Sequence, residues 1–131
     1  MTERIWDAIH SDWPDGDRTG LTTPFASNCA SRVVLDHVTS KWGVLVVVAL
    51  SQKSMRWGEL HRYVEGISEK MLAQTLRSLE SDGFVLRESM GTVPPRVDYS
   101  LTPLGEELAD LLVPLVRWVG DTVKRTAVDA A

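Results

Sequence analysis

The sequence predicts a mainly α-helical fold carrying one small β-hairpin. Three observations lead there. Apolar residues recur at helical spacing along most of the chain after residue 30. The period drops to two in "FVLRES" and again in "RVDYSL". Gly66 and Gly83 stand where two of the helical stretches stop.

Length and composition set the outer bounds. A chain of 131 residues fits one domain, since domains of about 100 to 150 residues can bury a real core. With 44% apolar and 24% charged residues it lies far from disordered chains. The start, "MTERIWDAIHSDWPDGDRTG", has no apolar core of the roughly 7 to 15 residues a signal peptide needs. The run "VLVVVAL" is too short for about 30 Å of hydrocarbon, so a cytoplasmic protein without membrane contact is expected. A single cysteine, Cys29, gives no internal disulfide and excludes zinc sites built on paired cysteines; no metal or cofactor is expected.

In chain order, residues 1 to 10 predict a short amphipathic helix with Ile5, Trp6 and Ile9 on one side, ended by the turn-forming "WPDGDRTG". Val34, Leu35, Val38, Trp42, Leu45 and Ala49 then predict one long helix from Ser31, as N-cap, to Leu50. Its "VLVVV" alone suits a buried strand, but the helical period continues on both sides. "MRWGELHRYVEG" predicts a short helix with Leu60, Tyr63 and Val64 inward and Gly66 as its stop. "ISEKMLAQTLRSLESDG" predicts the next, with Ser68 as N-cap and Gly83 as terminator. The two alternating segments flank "MGTVPP" as a hairpin with a proline-stiffened tip. Thr102 caps a last helix with a broad stripe of Leu104, Leu108, Leu111, Leu112, Leu115, Val119 and Val123, kinked at Pro114.

The helix beginning after Ser68 carries the chemistry. Leu72, Leu76 and Leu79 fall on one side of it, Lys70, Gln74 and Arg77 on another. Lysine and arginine neutralise phosphates or bond guanine, and glutamine pairs with adenine in a major groove. Such a face is ordinarily just solvated. Here it follows a short helix and a tight turn and precedes a hairpin, which is the winged helix-turn-helix order. Arg87 and Arg96 flank the hairpin tip at Pro94 and Pro95, where they either meet DNA or serve solubility. Ser68 and Met71, at the start of the helix, complete the expected DNA-facing set.

The strings "SKWGVLVVVAL", "MRWGELHRYVEGISEKMLAQTLRSLESDGFVLRE" and "VPPRVDYSLTPLGEEL" resemble, in order, the HxlR-type winged-helix regulators of bacteria, relatives of the MarR group. The resemblance spans roughly residues 29 to 120. Ile67, Ser68, Lys70, Leu72, Leu76, Leu79, Glu80 and Gly83 match that family's helix motif. Pro94, Pro95, Arg96, Tyr99, Leu101 and Thr102 match its wing. Thr75 stands where many members carry arginine, which removes one expected DNA contact, and Trp57 replaces a phenylalanine in what looks like a conservative core change. The resemblance implies a homodimeric regulator that binds double-stranded DNA, with an arm at 1–28, a DNA-binding domain at 29–101 and a dimerising helix at 102–131. The interface is then expected from Ile5, Trp6 and Ile9 together with Leu108, Leu111, Leu112, Leu115, Trp118 and Val119.

Net charge is −4, which opposes simple nucleic-acid affinity. The acidity sits at the ends: residues 1–28 carry 2 basic and 5 acidic side chains, 102–131 carry 3 and 5, and 29–101 carry 9 and 8. A basic face in the middle therefore remains open.

An enzyme is not expected. No phosphate-binding glycine loop, metal motif or nucleophile elbow is present. His37 lies about 12 Å of helical rise beyond Cys29, too far to activate it, and His10 and His61 join no motif. Some members of the resembled family sense oxidants or electrophiles through a cysteine just before the long helix, where Cys29 falls. A helix start favours thiolate, while a buried free cysteine is commonly only a small hydrophobe. Two alternatives stay open: control by a non-covalent ligand with Cys29 structural, or a winged helix that binds protein and not DNA.

Overall fold

Ser40 divides the stretch whose periodicity predicts one helix from Ser31 to Leu50. Two helices take its place, α1 at Ala30–Thr39 and α2 at Lys41–Gln52. Ser40 is extended (φ −66°, ψ 146°) and its hydroxyl accepts a 3.1 Å hydrogen bond from the Gly43 N–H, the geometry of an N-cap. Ser31 is the second residue of α1 and not its cap. The apolar spacing continues across Ser40 undisturbed, which is why periodicity misses the break. The structure is a computed structural model that describes residues 30–130, so Ile5, Trp6, Ile9 and Cys29 lie outside the described residues.

α1 belongs to a separate structural unit and contains no buried residue. In the unit from Ser40 onward, α2 is followed by β1 (Met55–Arg56), α3 (Trp57–Tyr63), α4 (Glu69–Ser81), β2 (Val85–Ser89), β3 (Val97–Leu101) and α5 (Pro103–Ala130). The hairpin β2–β3 is antiparallel, with Val85 opposite Leu101, Arg87 opposite Tyr99 and Ser89 opposite Val97. β1 adds a third strand on the other edge of β3, pairing Met55 with Tyr99 and Arg56 with Asp98. "MR" is therefore strand and not the first turn of a helix; two residues are too few to show alternation.

The core lies where α2, α4, α5 and the sheet meet. Val46, Val47, Leu60, Leu72 and Leu79 are its largest fully sealed side chains. Each such burial is worth about 1.5–3 kcal/mol. The "VLVVV" run is helical because α2 is enclosed on several sides, which suits any apolar side chain. Of the three residues expected inward on α3, Leu60 and Val64 are buried, whereas Tyr63 is exposed: it is the last helical residue, and the chain turns away beyond it.

One hydroxyl ties α5 to the rest. Thr102 Oγ1 accepts the Gly105 N–H at 3.0 Å and donates to the Gly83 carbonyl at 2.6 Å, capping α5 while fixing the end of α4. α5 runs through Pro114 as a single helix element. Its apolar stripe divides in two. Ala109 and Leu112 are buried, while Leu104, Leu111, Leu115, Trp118, Val119 and Val123 are exposed. Among the described residues no single helix is long and apolar enough to cross a membrane.

Candidate nucleic-acid interface

α4 is defined at both ends by its sequence. Ser68 is extended and its Oγ accepts the Met71 N–H at 3.0 Å, while Gly83 turns the chain into β2 at φ +89°. The turn from α3 uses Gly66 at φ +91°, a value that L side chains rarely adopt. Between these limits the helix is strictly two-sided. Leu72, Leu76 and Leu79 are at most 2% exposed, whereas Ser68, Lys70, Gln74 and Arg77 face solvent. Lys70, Gln74 and Arg77 fall at i, i+4 and i+7 and so form one row of donors. Met71 sits at the edge of that row, 36% exposed.

Thr75 has a different place from the one the sequence suggests. It is buried, at 8% exposure, because it lies only about 60° around the helix from Leu72. An arginine here has to extend its stem past the core edge to reach DNA. Threonine at 75 is thus a packing residue. Trp57 also departs from expectation: it is half-buried and not part of the sealed core.

The two wing arginines do not act as a pair. Arg87 stands opposite Tyr99 in the register, so both point to the face that carries buried Val85 and Met55. Arg96 shares the parity of Asp98 and so belongs to the opposite face. Both are exposed. Arg96 is held in place by a forked contact: Nε donates to Asp98 Oδ1 at 2.9 Å and Nη2 to Oδ2 at 3.4 Å. That hydrogen bond, aided by the carboxylate charge, raises the Arg96 pKa further. Alternation explains the partnership, since residues two apart on a strand share a face, although the alternating pattern alone does not single out Asp98.

A second carboxylate organises the edge beside the wing. Glu59 accepts the Arg56 backbone N–H at 3.3 Å and binds Lys53 Nζ at 3.3 Å; the Arg56 guanidinium lies 3.7 Å away. The Arg56 backbone bond and then Lys53 hold the Glu59 carboxyl below its usual range.

The last part of the site is a surface, not a groove. Leu111, Leu115, Trp118 and Val119, expected to meet a second chain, are exposed along α5. Leu108 is half-buried and Leu112 is enclosed by its own domain.

Comparison with known proteins places this architecture. The sequence model of the HxlR-like helix-turn-helix family matches residues 37–127. The chain is 53% identical over 95 residues to the uncharacterized HTH-type transcriptional regulator YtfH of Escherichia coli (strain K12), covering 72% of this chain and 75% of that protein. The solved structure of ytfH from Salmonella typhimurium superposes with a TM-score of 0.74 at 50% identity, covering 80% of this chain and 94% of the other. The redox regulator HypR in its oxidized form superposes with a TM-score of 0.65 at 33% identity, covering 71% and 96%. The relatives are transcriptional regulators and not enzymes. With its three-stranded wing sheet, its capped and two-sided α4 and this family match over most of its length, the chain belongs to the HxlR-like helix-turn-helix family of transcriptional regulators.

Proposed function

We propose that the protein binds a near-palindromic DNA operator as a homodimer, with α4 in the major groove and the wing on the adjacent backbone. The observation that carries this reading is the exposed row Lys70, Gln74 and Arg77 opposite a sealed leucine face, with Ser68 and Met71 at its start. Arg87 and Arg96 supply wing contacts on opposite faces of the hairpin. Dimerisation is supported by α5, where Leu104, Leu108, Leu111, Leu115 and Trp118 repeat at spacings of four and three, the seam of a helical pair. Ile5, Trp6 and Ile9 join that interface in this reading. Two-fold symmetry then sets half-sites about 10 bp apart.

Cys29 serves as the regulatory thiol in the same proposal. Its support is the likeness to solved relatives that include the redox regulator HypR and a diamide-treated YodB from B. subtilis. With one cysteine in the chain, an oxidant such as diamide gives an intersubunit disulfide or a mixed disulfide with a small thiol, while an electrophile alkylates the thiol without oxidising it. Selection of bound DNA from a random pool, with and without diamide, tests both parts. Wild type is expected to enrich a near-palindrome and release it in diamide, and Cys29→Ser to enrich the same site and keep it. No enriched sequence contradicts the operator reading; release of DNA from Cys29→Ser contradicts the sensor reading alone.

A further inference from the structure

The fold brings Arg56 to the wing. It ends β1, where its Cα partner across the strands is Asp98, the residue that holds Arg96. Arg56 and Arg96 line one open cleft of about 580 Å³ between the start of α3 and the wing tip, with Trp57, Val93, Pro94 and Pro95 as its apolar walls. Both arginine side chains are about half exposed, at 54% and 46%. Each already has a carboxylate beside it, Glu59 for Arg56 and Asp98 for Arg96.

We propose that this cleft is a backbone clamp in which Arg56 and Arg96 together bind one DNA phosphate next to the groove read by α4. The proposal rests on the DNA-binding function proposed above and adds to it a second cation from a different element. Two arginines approaching one cleft from separate segments, Arg56 from β1 and Arg96 from the loop just before β3, match the two free oxygens of a phosphodiester, and guanidinium forks bind such oxygens in pairs. The carboxylates make the site selective. Glu59 and Asp98 orient the guanidiniums and offset their charge, so a lone small anion gains little, whereas a polyanion that displaces counterions gains more. The first helix of a helix-turn-helix pair crosses the DNA backbone, and Arg56 stands immediately before that helix. Such contacts fix register and carry no sequence information.

The test uses the full-length protein and the DNA selected from the random pool. Arg56→Gln is expected to weaken binding about fivefold to tenfold on specific and random DNA alike, and to lower the slope of log affinity against log salt by about 0.9 per chain. Arg56→Lys keeps the charge and is expected to keep the slope while losing part of the affinity, which also covers the case that Arg56→Gln folds poorly. Lys70→Gln with Arg77→Gln serves as the control for the underlying reading. If that pair loses binding while Arg56→Gln keeps wild-type affinity and slope, the clamp is wrong and the DNA reading stands. If neither loses binding, both fall. If Arg56→Gln alters only the binding of free inorganic phosphate, the cleft is a small-anion site and the clamp is overturned.

Discussion

Gly105 shows how much a single position constrains the architecture. A Cβ built there overlaps the Phe84 carbonyl oxygen and crowds a Leu101 methyl at 3.2 Å, so α5 approaches the strand entrance at backbone distance. Backbone cannot yield as a side chain can. Gly105→Ala is therefore expected to destabilise the fold by about 2 kcal/mol or more, despite the gain in helix propensity, read from the urea midpoint. A wild-type midpoint contradicts the close packing. Thr102 works at the same junction, donating to Gly83 and accepting from Gly105 with one hydroxyl. Glu59 adds pH dependence at this scale. Its carboxyl is held below its usual range in the folded chain, so its contribution is present above the unfolded value and fades as pH falls through the folded one.

Among the elements, α5 is the one whose apolar stripe divides between a buried and an exposed face. Ala109 and Leu112 complete the core, while Leu111 and Trp118 remain 72% and 59% exposed. Leu111→Glu with Trp118→Glu is expected to leave chain stability within about 0.5 kcal/mol, because neither side chain is buried in the chain itself. The same pair is expected to shift sedimentation from dimer to monomer; an unchanged dimer places the interface elsewhere. α5 was legible in the sequence as one stripe, since a mean period cannot divide a broad apolar face between core and surface. α4 was legible almost to the residue, because Ser68, three leucines and Gly83 all specify the same helix. β1 and the break at Ser40 were not: the strand is too short for alternation, and the helical spacing runs unbroken through the cap. The Arg96–Asp98 fork is compatible with alternation, since residues two apart share a face, but alternation alone does not say that the two side chains bond.

The molecule as a whole reconciles an acidic chain with a nucleic-acid partner through placement. Net charge is −4, yet the row on α4 and the arginines of the wing are exposed on adjoining elements. Few cations per chain imply modest non-specific affinity; in the proposed dimer the doubled contacts supply the specificity. The proposed DNA reading depends on α4 being the surface that meets DNA. The most direct measurement is binding of the selected operator by Lys70→Glu with Arg77→Glu, compared with wild type at equal salt and with folding checked by circular dichroism. Reversal of both charges is expected to remove operator binding, by at least about a hundredfold, from a protein that remains folded and dimeric. Operator affinity within about twofold of wild type contradicts the assignment of α4 as the reading helix.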